Sequence, residues 1–234
     1  MGEIKGILFD KDGTLLDYHK SWAPVNRRLA DYAARGDRAL TDRLLAACGM
    51  DPQTGIVTPD SLLAAGNTRE ISEGLIAAGS DRTMADLVEA LDRFFAEGSD
   101  HSVPVTDLAA LFSSLKAAGY HLGIASSDNE RSIRRTVERF GFAHLVDFIA
   151  GYDSGHGCKP EPGMLIGFAR AVGVEPANVA MVGDNNHDLH MARNARAGRA
   201  IAVLTGTGSP QSLAAASDVV LDDVTQLEAW LATA

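Results

Sequence analysis

Apolar and polar positions along this chain follow two rhythms. Short unbroken apolar runs recur at 4–9 (IKGILF), 121–126 (HLGIAS), 146–150 (VDFIA), 179–182 (VAMV), 200–204 (AIAVL) and 218–221 (DVVL). Runs of this length without alternation are the mark of strands buried on both faces, so they predict a parallel sheet. Between them the spacing is helical. Leu108, Leu111, Phe112 and Leu115 close with Gly119, and Ile133, Val137 and Phe140 close with Gly141, each glycine standing where a helix ends. Strand and helix alternate from about residue 103 onward, which predicts an α/β fold, a Rossmann-like doubly wound sheet with helices on both faces.

Residues 18–100 break the rhythm. They hold amphipathic segments such as WAPVNRRLADYAA, ALTDRLLAAC and MADLVEALDRFF, with no convincing strand. The chain is therefore expected to divide into an α/β core, residues 1–17 and 101–234, and a helical insert, 18–100. The insert leaves just after the first strand and returns before the second. It must then overhang the carboxyl edge of the sheet, where open α/β sheets bind ligands.

Composition narrows the class. Hydrophobic residues make up 46% and charged residues 22%, as in globular proteins folded in water. The net charge of −10, with basic residues scattered along the chain, argues against a nucleic-acid surface and requires a local positive trap for any anionic substrate. No apolar run approaches the ~20 residues of a membrane span, so no membrane partner is expected. Only Cys48 and Cys158 are present, too few for a disulfide framework, and the start carries no leader pattern. A cytoplasmic location is expected.

The chemistry gathers where the strands end. FDKDGTLLD (9–17) puts Asp10 and Asp12 one residue apart at the first strand's end. Ser126 follows the second, Lys159 lies in the loop CKPEPG, and VGDNNHDLHMA carries Asp184 and Asp188. In a parallel sheet these positions converge. Like charges so close need a counterion, and clustered carboxylates suit a hard, oxygen-seeking cation such as Mg²⁺, which commonly shares its shell with phosphate oxygens. Lys159 supplies the second positive charge. Two carboxylates in different surroundings can divide the work of nucleophile and acid, while the Ser126 hydroxyl and neighbouring N–H groups hold phosphoryl oxygens.

These residues, FDKDGTLLD, IASSDN, CKPEPG and VGDNNHDLHMA, resemble the four motifs of the haloacid dehalogenase-like phosphatase superfamily, in order and over the whole chain. The insert resembles its helical cap, and the general appearance is similar to the phosphoglycolate phosphatase-like subgroup. The resemblance implies a phosphoric monoester hydrolase acting on a small phosphorylated metabolite. It implies Asp10 as the nucleophile that forms an aspartyl-phosphate and Asp12 as general acid and then base. By the same match Ser126 binds phosphoryl oxygen and Lys159 neutralises phosphate and nucleophile. Asp184 holds Mg²⁺ with Asp10 and the Asp12 carbonyl, and Asp188 supports that site. Asp12 also argues against dehalogenation, whose leaving group needs no proton.

Weaker signals are weighed beside these. Ser127 is a further phosphate contact, and Arg69, in the polar break GNTRE, is the candidate for a substrate carboxylate. Tyr18, His19 and Trp22 follow the first motif closely enough to overhang it. His187 and His190 read as exposed residues of a helix's first turn, and TGTGSP (205–210) as a turn after a strand. The competing functions are a β-phosphoglucomutase-like phosphomutase, which shares every motif, and a phosphoacceptor signalling or non-catalytic binding domain, which leaves Asp12 and the insert unexplained.

Overall fold

A computed structural model describes residues 3–233. Six parallel strands, β1 (Gly6–Phe9), β2 (His121–Ala125), β3 (Phe148–Ala150), β4 (Val179–Gly183), β5 (Arg199–Val203) and β6 (Val219–Leu221), form one sheet in the order β3-β2-β1-β4-β5-β6. Each expected strand is present. The connections reverse direction at β1, so the crevice outside its carboxyl end lies between β2 and β4.

Before the second strand come α1 (Tyr18–Ala33), α2 (Arg38–Ala47), α3 (Leu62–Ala65), α4 (Thr68–Ala77) and α5 (Met84–Gly98). After it the sheet is covered by α7 (Glu130–Arg139), α8 (Gly163–Val172), α9 (Asn186–Asn194), α10 (Pro210–Ala214) and α11 (Leu227–Leu231), while α6 (Leu108–Ala117) precedes β2. Alternating β1 side chains feed opposite layers. Ile7 and Phe9 pack with Leu111, Phe112, Ile133 and Val137, whereas Leu8 packs with Leu165, Phe168 and Leu189. Because both faces are covered, β1 carries no polar residue until Phe9 is passed.

The helical insert has its own core, in which Leu29, Leu44, Leu45, Leu87, Leu91 and Phe94 are buried together. Two linkers join it to the sheet and run side by side: Val105 N donates to Leu15 O at 3.0 Å and Asp17 N to Val103 O at 2.9 Å. The insert is thereby held over the end of β1. Among the described residues no helix is long and apolar enough to cross a membrane.

Candidate active site

A cavity of about 620 Å³, counting its mouth, lies between the sheet's carboxyl edge and the insert. That is a volume suited to a small molecule. Asp10, Asp12, Ser126, Ser127, Lys159, Asp184 and Asp188 all line it, as strand ends of a parallel sheet should.

Lys159 is buried and spans two acids, Asp10 and, at 2.6 Å, Asp188 Oδ1. Burial alone would drive its proton off, but the two carboxylates outweigh it and the ammonium persists above its ordinary range. Burial raises Asp10 to about 6, against the pull of Lys159 and with a further push from Asp188. Asp184 is lifted well above the usual carboxylate range, by burial first and then by the charges of Asp10 and Asp188.

Carboxylate oxygens of Asp10, Asp184 and Asp188 lie within 4.8 Å of one another. Thr207 N donates to Asp184 Oδ2 at 2.9 Å, and Lys159 Nζ donates to Asp10 Oδ1. Buried carboxylates gathered this closely, with Asp10 and Asp184 resisting ionisation side by side, fit a hard divalent cation. The carboxylate of Asp12 is not in this group.

Asp12 is held elsewhere. Its Oδ1 accepts from Lys11 Nζ at 2.7 Å and from Trp22 Nε1 at 2.8 Å, and its Oδ2 lies 2.6 Å from Lys11 Nζ. Lys11 is 0% exposed, pairs also with Asp128 Oδ2 at 3.2 Å, and sits 4.9 Å from the centre of the Trp22 ring. Burial raises Asp12 to about 6, Lys11 pulls it down, and Asp128 and Asp10 push it up. The residue between the two motif acids is thus part of the site, a role the sequence reading left unassigned.

Backbone shape lets these groups meet. Gly13 has φ 86°, and a Cβ there would stand 2.5 Å from Asp184 Cγ, so the turn after Asp12 admits only glycine. A Cβ on Gly206 would reach 1.8 Å from Asp184 Oδ2. The TGTGSP turn is therefore more than a connection: it grips Asp184 through Thr207 N and also accepts from His19 Nε2 on Gly206 O at 3.2 Å. Asn185 caps α9, and Asp188 Oδ2 returns the bond from Asn185 N at 3.2 Å. That capping box fixes the Asp188 carboxylate toward Lys159.

Ser126 Oγ accepts from Asp128 N at 3.1 Å, which leaves its proton free for an incoming oxyanion. Ser127 Oγ donates to Ala65 O at 3.1 Å, tying the edge of β2 to the insert. Arg69 is a correction. It is exposed and absent from the cavity wall, because the capping box of α4, Asn67 with Glu70, turns Asn67 and Thr68 inward and Arg69 outward. His187 is a second correction. It is half-buried on the wall with Nδ1 unpartnered, and burial lowers its pKa; His190 is exposed as expected.

The doubly wound parallel sheet, the helical insert over its carboxyl edge and the acid cluster there define an α/β catalytic domain with a helical cap. The haloacid dehalogenase-like hydrolase family model matches residues 4–196, and the chain belongs to that family. It is 26% identical over 228 residues to an N-acetylmuramic acid 6-phosphate phosphatase of Pseudomonas aeruginosa, covering 96% of this chain and 93% of that protein. It is also 26% identical over 228 residues to a phosphoglycolate phosphatase of Rhodospirillum rubrum, covering 97% and 90%. Among solved structures, CbbY of Rhodobacter sphaeroides in complex with phosphate superposes with a TM-score of 0.70 at 22% identity, covering 96% of each chain. At that identity the likeness is one of fold.

Proposed function

We propose that this chain is a Mg²⁺-dependent phosphatase that hydrolyses a small phosphomonoester through an aspartyl-phosphate on Asp10. The observation that carries the reading is Lys159 bridging Asp10 and Asp188 beside Asp184, at the end of the strand that bears Asp12. Family membership and the phosphatase names of near full-length relatives support the class.

In this reading an oxygen of Asp10 attacks phosphorus, forming the Asp10 O–P bond as the P–O bond to the alcohol breaks. Lys159 and the Ser126 hydroxyl hold the phosphoryl oxygens, and Lys159 also keeps Asp10 from repelling them. Asp12 gives its proton to the departing alkoxide oxygen. It then takes a proton from the water that attacks the aspartyl-phosphate, which releases inorganic phosphate, frees the Asp10 carboxylate and returns Asp12 to its protonated form. Asp10, Asp184 and the Asp12 carbonyl, with Asp188 in support, would hold Mg²⁺, which would supply charge neutralisation for the phosphate dianion. Lys11 and Trp22 fix the carboxylate of Asp12, so the acid is aimed before substrate arrives.

The test is phosphate release from p-nitrophenyl phosphate with Mg²⁺, by wild type and by Asp10→Asn. The wild type turns over, exhaustive EDTA treatment stops it, and Asp10→Asn falls below about a tenth of the wild-type rate. An active Asp10→Asn enzyme removes the covalent step. Isomerisation of a sugar phosphate with little free phosphate assigns the chain to the mutases instead.

A further inference from the structure

The cavity wall contributed by the insert consists of Tyr18, Trp22, Asn26, Leu63, Ile71 and Phe95, together with small residues of the α3 end. All but one of its side-chain hydrogen-bond donors are already committed. Tyr18 Oη donates to Leu63 O, Trp22 Nε1 to Asp12, and Asn26 Nδ2 to Tyr18 Oη at 3.4 Å. The N–H groups of Leu63, Ala64, Ala65 and Gly66 bond to Cys48 O, Ser61 O and Leu62 O. What remains open on this wall is a neutral amide, Asn26, whose oxygen receives no bond and whose second N–H makes none among the described residues.

Charge points the same way. Five carboxylates line the cavity, those of Asp10, Asp12, Asp128, Asp184 and Asp188, while Lys159 is the only lysine or arginine on the wall among the described residues. The charge of Lys159 is offset by Asp10 and Asp188, and that of Lys11 behind the wall by Asp12 and Asp128. Even a bound divalent cation is answered by the phosphate dianion. His187, on the α9 side, offers an imidazole and no fixed charge. A second anion on the substrate would meet no free cation, at most one neutral amide N–H, apolar side chains and excess negative charge.

We infer, on the phosphatase reading above, that this site takes phosphate esters of uncharged alcohols. The leaving group presents an apolar or ring face to Trp22, Phe95, Leu63 and Ile71 and donates a hydroxyl to Asn26, and esters of hydroxy acids such as phosphoglycolate are excluded. Specificity thus separates this chain from relatives whose names specify acidic substrates. The selection acts on the alcohol and leaves the chemistry at phosphorus unchanged.

Two matched pairs of esters test this with the full chain and Mg²⁺: 2-hydroxyethyl phosphate against 2-phosphoglycolate, and phenyl phosphate against 4-carboxyphenyl phosphate. Each is assayed for kcat/KM and, as a competitor of p-nitrophenyl phosphate, for its inhibition constant. The neutral member of each pair is favoured roughly 10- to 100-fold, the scale of one unanswered charge several ångströms from like charge in polar surroundings. Asn26→Leu narrows the ratio of 2-hydroxyethyl phosphate to phenyl phosphate about fivefold, the worth of one hydrogen bond. Equal or better binding of the carboxylate esters, while p-nitrophenyl phosphate is hydrolysed, overturns the inference and leaves the phosphatase reading intact. No release from p-nitrophenyl phosphate overturns both.

Discussion

Lys11→Met is the substitution that most directly probes how the site is held. The side chain is 0% exposed, and its ammonium is the cation shared by Asp12 and Asp128. Methionine matches the stem but leaves two carboxylates without their counterion. Removing one member of a buried ion cluster costs about 3–5 kcal/mol. The cost should depend on pH with a sign fixed by Asp12, whose carboxyl already sits at about 6 against 3.8 in an unstructured chain. An acid raised in the folded state favours the folded state when protonated, so its contribution is complete below 3.8 and is lost as pH rises through about 6. In the wild type that shift of about two units corresponds to roughly 3 kcal/mol. Without Lys11, the group that pulls it down, Asp12 rises further and the loss moves to higher pH.

Urea denaturation of EDTA-treated protein at pH 5 and pH 8 reads this out, with m compared to exclude a change in the unfolded state. At pH 8 the variant should lose about 3–5 kcal/mol relative to wild type. At pH 5, where Asp12 can take a proton instead, the difference should fall by roughly half. A cost below about 1 kcal/mol at pH 8, the size of an exposed pair, refutes the buried-cluster reasoning. A cost equal at both pH values refutes the part assigned to Asp12.

Three further outcomes follow from the same geometry. Mg²⁺ should raise the melting temperature at pH 8 and much less at pH 5, because Asp10, raised to about 6, and Asp184, raised by burial, must lose their protons to bind it; an equal shift at both pH values would place the ion elsewhere. Gly206→Ala should weaken Mg²⁺ binding at least tenfold while the protein stays folded by circular dichroism, since a methyl there lands 1.8 Å from Asp184 Oδ2; unchanged Mg²⁺ titration would show that Asp184 moves freely. Asp12→Ala should slow aspartyl-phosphate formation by about two to four decades with an alkyl phosphate and less with p-nitrophenyl phosphate, giving a burst of about one nitrophenolate per enzyme in rapid quench; equal losses with no burst would take Asp12 out of acid–base catalysis.

The centre of the sheet was legible because its strands are buried on both faces, so IKGILF, VAMV and AIAVL stand out as apolar runs without needing alternation. The insert was legible in its helices and less so in its joints. GNTRE reads as a polar break, yet Asn67 is the N-cap of α4 and Glu70 closes its box, so the same letters that suggest a loop begin a helix. Arg69 was assigned to the cavity from that polar break and from the fit of a guanidinium to a carboxylate. The direction it points is set by that cap, and only the inward pair, Asn67 and Thr68, is buried.

Asp10, Asp12, Ser126, Lys159, Asp184 and Asp188 could be brought together from sequence because parallel strands put their carboxyl ends on one edge, whatever the order of the strands. Lys11 and Asp128 needed the order itself. Neither residue carries a signal of its own in the sequence. The register supplies it: β1 lies beside β2 with Phe9 opposite Ile124, so Lys11 comes level with Ser126 and its long stem reaches Asp128 two residues on. Trp22, on the first helix of the insert, then covers the ammonium and donates to Asp12. The acid of the site is therefore oriented by one strand neighbour and one helix of the insert, and displacing the insert would uncover Lys11 and release Asp12 together.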